Sequence, residues 1–71
     1  MQTVFEIFYV NRRDGWAVAE YTFFERDQIG EARYCYSKRD AIAEAFRWNP
    51  DKPRRIFDRQ NRLQRTEIGY V

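Results

Sequence analysis

The sequence predicts a single α+β domain over residues 1–71, with one helix packed on one face of an antiparallel sheet of about five strands. Three observations support this prediction. Only residues 37–48 have the spacing and the ends of an amphipathic helix. The segments on either side are rich in aromatic and β-branched residues in alternation, as strands are. Short polar turns separate those segments, and strands joined by short turns pair antiparallel, so the predicted order is β-β-β-α-β-β.

The helix is predicted to begin after Ser37, whose hydroxyl can accept a hydrogen bond from the backbone N–H of Asp40. It is predicted to end at Asn49, because a residue before proline avoids the helical conformation. Ile42 and Phe46 lie four positions apart and therefore share one side of the helix. We expect this apolar stripe to lie on the sheet.

The first turn of the predicted helix carries two cations, Lys38 and Arg39. The helix dipole does not favour positive charge there. One interpretation is that both side chains are solvated. The other is an anion site, in which helix N–H groups and the two side chains bind a negative group together.

The strands are predicted at residues 3–10, 16–24, 31–36, 54–58 and 63–71, the last of them carrying Leu63, Ile68 and Tyr70. Asp14-Gly15 supplies a position of positive φ, which predicts a hairpin between the first two strands. Asn61 can adopt the left-handed conformation in the turn before the last strand. Glu20 interrupts an apolar face of the second strand, which predicts a bulge or a change of register near residues 19–20.

Composition excludes several kinds of chemistry. The chain has no histidine and a single cysteine, so it can form no internal disulfide, His-based metal site or His-based acid–base relay. It also has no glycine-rich phosphate loop, Cys/His cluster or nucleophile–base pair. We therefore expect a protein that is not an enzyme and that uses no cofactor or metal, with Cys35 as a small buried thiol. The absence of a signal peptide pattern and of a long apolar run favours a cytoplasmic location and no membrane partner.

Three short motifs along the chain form a series. They are Gly15-Trp16-Ala17-Val18 in the second strand, Ser37 with Asp40-Ala41-Ile42-Ala43 at the start of the helix, and Ile56-Phe57-Asp58-Arg59 with Arg62 in the last hairpin. Over about residues 4–70 the chain resembles a small bacterial domain family of unknown function, which has a Gly-Trp strand, an Ala-Ile-Ala helix and a closing Asp-Arg-x-Gly-Arg hairpin. Asn61 stands where that family has glycine. The resemblance implies a ββ(β)αββ domain and no activity or catalytic residues.

The aromatic content predicts an exposed apolar surface. The chain has five Tyr, six Phe and two Trp, whereas one helix about 10 Å wide cannot cover a sheet roughly 24 Å across. Surplus rings should then lie near the surface, among them Phe8, Tyr21, Phe23, Tyr34 and Trp48. This favours a protein-interaction module, such as a phage or mobile-element inhibitor or regulator of a host protein, and it also predicts a homodimer.

Positive charge is concentrated in the second half of the chain, where residues 38–65 hold nine Lys/Arg and four Asp/Glu. The predicted partner-binding residues are Arg54, Arg55, Arg59, Arg62 and Arg65 of the last hairpin, together with Trp48. We expect this hairpin to contact an acidic protein surface or a phosphate backbone. The alternative function is therefore a small nucleic-acid-binding protein that uses the hairpin arginines and aromatic stacking.

Overall fold

The computed structural model describes residues 2–68. The elements are β1 (Thr3–Asn11), β2 (Gly15–Thr22), β3 (Gln28–Cys35), α1 (Lys38–Trp48), β4 (Arg54–Phe57) and β5 (Leu63–Glu67). The α+β class and the predicted order of elements are confirmed. The predicted last strand extends to residue 71, and its final part, with Tyr70, lies outside the described residues.

The five strands form one mixed sheet in the order β3-β2-β1-β4-β5. β1 pairs in parallel with β4, with Phe5 opposite Arg54 and Ile7 opposite Ile56, whereas the other three pairings are antiparallel. The prediction of a purely antiparallel sheet is therefore wrong. The helix returns the chain to the end where β1 and β3 begin, so the strand that follows it runs in the direction of β1. The rule for short turns describes only the three hairpins.

The helix covers one face of the sheet by packing on β1, β2 and β3. The core beneath it includes Phe5, Ile7 and Val18, none of which has exposed surface. The helix contributes Ala41 and Ala45 to this contact, and both are also fully buried. Small side chains at these positions let the helix backbone approach the sheet closely.

This packing corrects the predicted apolar stripe of the helix. Ile42 is only partly buried, and Phe46 remains 42% exposed. The helix is rotated so that Ala41 and Ala45 lie closest to the sheet, while Ile42 packs at the margin of the core. The large residues of the strands already fill the space under the helix, so only alanine fits against them.

Both ends of the helix agree with the sequence prediction. The Ser37 hydroxyl accepts a hydrogen bond from the Asp40 backbone N–H at 3.1 Å. At the other end, Asn49 has an extended backbone and its N–H donates to the Ala45 carbonyl at 3.1 Å. The cap and the following proline together fix the length of the helix.

The turns also agree with their predicted conformations. Gly15 has φ +76°, and a side chain there would place Cβ 2.5 Å from the Cys35 carbonyl oxygen. Glycine is thus required both by the backbone angle and by the close approach of β2 and β3. Asn61 adopts the predicted left-handed conformation with φ +63°.

The predicted change of register in β2 is present between Val18 and Glu20. The extra residues belong to β3, where Gly30 has φ +72°. β3 is therefore an irregular edge strand.

Candidate functional site

The face of the sheet opposite the helix, which we call the open face, carries no second layer among residues 2–68. Alternation in β1 directs Glu6 and Phe8 to this face, because Phe5 and Ile7 point toward the helix. Cross-strand pairing adds side chains from each of the other four strands to the open face. These are Ala17, Ala19, Tyr21, Tyr34, Arg55, Phe57 and Leu63.

A carboxylate lies buried at the centre of the open face. Glu6 has a side chain that is only 4% exposed, although no helix or strand lies above it within residues 2–68. Arg26 forms a bidentate ion pair with this carboxylate, in which Arg26 Nε lies 2.9 Å from Glu6 Oε2 and Arg26 Nη2 lies 2.8 Å from Glu6 Oε1. Arg55 approaches from β4, with Nη1 3.3 Å from Oε2. Two arginine side chains thus shield this carboxylate from water.

The turn after β2 delivers Arg26 to this position. Arg26 has φ +59°, and its N–H donates to the Thr22 carbonyl at 3.1 Å. The Thr22 hydroxyl accepts from the Asp27 N–H at 3.0 Å, which closes the turn. The Arg26 guanidinium then lies 5.4 Å from the centre of the Phe57 ring. A non-glycine residue with positive φ is uncommon, and here it aims a cation at the sheet.

Arg55 is held equally firmly. Its Nη2 donates to the Phe23 carbonyl at 2.9 Å, and its guanidinium lies 4.5 Å from the centre of the Phe23 ring. The sequence analysis assigned Arg55 to the partner-binding hairpin and did not predict its pair with Glu6. The available signal was a single acidic residue within an otherwise apolar strand.

Aromatic and aliphatic side chains surround the Glu6–Arg26–Arg55 cluster. Phe8 and Tyr21 pack edge to face with ring centres 6.5 Å apart, and both are partly exposed. Three others are more open, since Phe24 is 79%, Tyr34 66% and Leu63 54% exposed. A shallow hollow of about 410 Å³ lies among these groups. It is lined by Phe23, Phe24, Arg26, Arg55, Phe57 and Leu63.

The other hairpin arginines predicted to bind a partner do not lie together. Arg54 points to the helix side, where it is buried and its Nε lies 3.2 Å from Glu67 Oε1. Arg65 shares the same carboxylate at 3.2 Å. Arg59 and Arg62 are exposed in the turn between β4 and β5. Strand alternation therefore distributes the hairpin cations over two faces and one end.

The remaining predicted residues lie on the helix side. Trp48 is partly buried, 4.9 Å from the Phe5 ring centre, and the Arg33 guanidinium stacks on it at 3.6 Å. Lys38 lies over the Trp16 ring at 5.5 Å and donates to Gln64 of β5. Arg39 is exposed.

Within residues 2–68 no group of three or more Cys, Asp and Glu side chains could hold a metal ion. Burial, together with the nearby Glu44 and Asp40 carboxylates, raises the pKa of the Cys35 thiol. The thiol is therefore protonated at neutral pH and is a poor nucleophile. Nor does any helix between residues 2 and 68 have the length and apolar character needed to cross a bilayer.

Comparison of the chain with family models, curated proteins and solved structures finds no match. The resemblance to the bacterial family of unknown function therefore stays a prediction.

Proposed function

We propose that the protein is a non-enzymatic binding module that holds a protein partner on its open face. The observation that carries this proposal is the set of exposed and partly exposed aromatic side chains around one buried carboxylate and its two guanidinium partners. Aromatic residues and arginine are the side chains most enriched at the centres of protein interfaces. An apolar surface of this kind, bordered by polar groups, is typical of an interaction site.

The charge of the open face indicates the chemistry of the partner. Glu6 offers one negative charge to two guanidinium groups, so the cluster carries an excess positive charge. Arg26 is 55% exposed and keeps donors available at its outer edge. The complementary surface has apolar side chains around a carboxylate that meets Arg26.

A different protein fits this surface better than a second copy does. Two open faces placed against each other would bring their excess guanidinium charges together, which is unfavourable in a desolvated interface. The predicted homodimer is therefore the less favoured occupant. A module without catalytic groups acts by occupying its partner, which is how a phage or mobile-element inhibitor of a cytoplasmic host protein would act.

The proposal is tested by capturing partners from cell lysate and measuring the affinity of the purified partner by calorimetry. The test variant is Phe24→Ser/Leu63→Ser, which removes two exposed side chains that line the same hollow. We expect this variant to weaken binding at least tenfold, the lower range for loss of well-packed interface residues. Because both side chains are exposed, the melting temperature should change little.

The matched control is Ile29→Ser, which removes an exposed apolar side chain that pairing with Glu20 places on the helix side of the sheet. It should bind the partner like the parent protein. Equal affinity of Phe24→Ser/Leu63→Ser and the parent would contradict the proposal. Sedimentation of the free protein at high micromolar concentration separately tests for a second copy, which would appear as a concentration-dependent mass.

A further inference from the structure

One end of the molecule collects cations from three separate connections. β1, β3 and β4 all run toward this end, which therefore holds the β1–β2 turn, the start of α1 and the β4–β5 turn. We call it the basic end. Its cations are Arg12, Arg13, Lys38, Arg39, Arg59 and Arg62.

Topology separates charge along the strand direction. The basic end has six cations and only three carboxylates, those of Asp14, Asp40 and Asp58. The connections at the opposite end, residues 23–27 and 49–53, hold two cations and three carboxylates. Both of those cations are engaged in partly buried ion pairs, Arg26 with Glu6 and Lys52 with Glu20. Excess positive charge is thus presented at one end only.

Four of the six cations of the basic end are available to a ligand. Within residues 2–68, Arg12, Arg13 and Arg39 form no ion pair, and all three are exposed. Arg62 approaches Asp58 only to 4.0 Å. The Asp58 carboxylate instead accepts the backbone N–H groups of residues 60 and 62, both at 2.9 Å. It stabilises its own turn and neutralises the neighbouring arginines weakly.

Aromatic rings alternate with these cations. The Arg59 guanidinium lies 4.8 Å from the centre of the Tyr9 ring and donates to its hydroxyl at 3.3 Å. Tyr36 is 94% exposed and lines two neighbouring hollows of about 280 and 350 Å³. Arg12 and Arg59 line the first hollow, and Arg13 lines the second. Each hollow therefore combines the Tyr36 ring with at least one arginine.

We propose that the basic end binds single-stranded nucleic acid, with the arginines on phosphates and a base stacked on Tyr36. Grooves that combine positive charge with exposed aromatic rings bind single strands, because each phosphate meets a cation and each unpaired base offers a π-face. An acidic polypeptide such as polyglutamate would use the cations and leave the rings without a matching group. A duplex hides its base faces, so it would use only the charges. The rings therefore favour a single strand over both.

The test measures binding of the full chain to a fluorescent oligothymidylate of about 16 nucleotides, which matches the upper site size of small single-strand-binding folds. Affinity is followed between about 50 and 200 mM salt. Arg12→Ser/Arg59→Ser should weaken binding and reduce the log–log salt slope by about 1.4, since each phosphate contact on a single strand contributes about 0.7. Tyr36→Ser should weaken binding about five- to 160-fold at constant salt slope, because it removes stacking without removing charge.

The control is Arg47→Ser/Arg65→Ser, which removes the same charge from exposed positions away from the basic end. It should keep nearly the full affinity of the parent protein. The proposal is overturned if the oligonucleotide does not bind at 50 mM salt, or if both double variants bind equally. It is also overturned if polyglutamate or a duplex of the same charge binds as tightly as the oligothymidylate, since the rings then contribute nothing. All of these variants leave Phe24 and Leu63 intact, so either proposal can fail while the other stands.

Discussion

The central side chains on the two faces of β1 are buried by different kinds of cover. On the helix side, Phe5 and Ile7 lie under Ala41 and Ala45 in an apolar contact. On the open face Glu6 reaches nearly the same burial without a covering layer of backbone. Two guanidinium groups stacked on Phe23 and Phe57 cover it instead.

The comparison shows that arginine side chains can act as a second layer of a small domain. Their planar heads satisfy the carboxylate while their flat surfaces pack on rings. Such a layer differs from a helix in one respect, because its stability depends on a balance of charge. Removing one partner leaves a buried charge uncompensated, whereas removing apolar atoms leaves only a cavity.

The strongest test of this comparison is Glu6→Gln, which keeps the shape of the side chain and removes its charge. We expect a loss of about 3 kcal/mol in the free energy of unfolding, the lower value for breaking a buried pair, because Arg26 is partly exposed. Chemical denaturation measures it.

The matched control is Glu44→Gln, because Glu44 also holds two arginines, at 2.8 and 2.7 Å, but on the solvated side of the helix. It should cost less than about 1 kcal/mol. Equal losses for the two variants would show that burial of Glu6 adds nothing to its pairing.

The helix-covered face should respond to added volume. Ala45→Leu places three more carbon atoms where the helix touches the strands, and Ala45 has no exposed surface. We expect a loss of about 1–3 kcal/mol from overpacking, measured as a lower midpoint of denaturation. The control is Ala43→Leu, because Ala43 is exposed. If Ala45→Leu were as stable as that control, the helix would not lie as close to the sheet as described.

The cap at the start of the helix should contribute less to the free energy of unfolding than the contact between helix and sheet does. Ser37→Ala removes the hydroxyl that accepts the Asp40 N–H and should cost about 1 kcal/mol. Ser37→Asp keeps an acceptor at this position and should restore most of the loss. An unchanged melting temperature in the alanine variant would contradict the cap.

The smallest effect is expected in how the free energy of unfolding changes at acidic pH. Hydrogen bonds lower the pKa of three carboxyl groups. Arg47 and Arg33 donate to Glu44, and Lys52 and Thr3 donate to Glu20. The backbone N–H of Arg62 donates to Asp58. A lowered folded-state pKa stabilises the fold above the unfolded value and loses this contribution as pH falls through the folded value. Stability should therefore decrease below about pH 4.5. Glu44→Gln should make that decrease shallower. If the stability of this variant fell with pH as steeply as that of the parent protein, the pairing of Glu44 with Arg33 and Arg47 would be contradicted.

Features set by neighbouring residues were predictable from the sequence. The Ser37 cap, the Asn61 turn and the register change beside Glu20 all depend on local chemistry, and each is present. The contact between Glu6 and Arg26 joins residues 20 positions apart through a turn with an unusual backbone angle. No pattern of neighbouring residues predicts this contact. The exposure of Phe46 depends on how the helix is rotated on the sheet, which the spacing of apolar residues alone does not determine.

The irregular pairing of β3 has a consequence for how the molecule meets other chains. A regular edge strand offers an unbroken row of N–H and C=O groups on which a further strand can assemble, and this is the route to sheet-based aggregation. The extra residues around Gly30 break that row on one edge, and β5 on the other edge is only five residues long. Neither border of the sheet is a good template for continuation. A protein with so many partly exposed rings is thereby protected against polymerising through its own backbone.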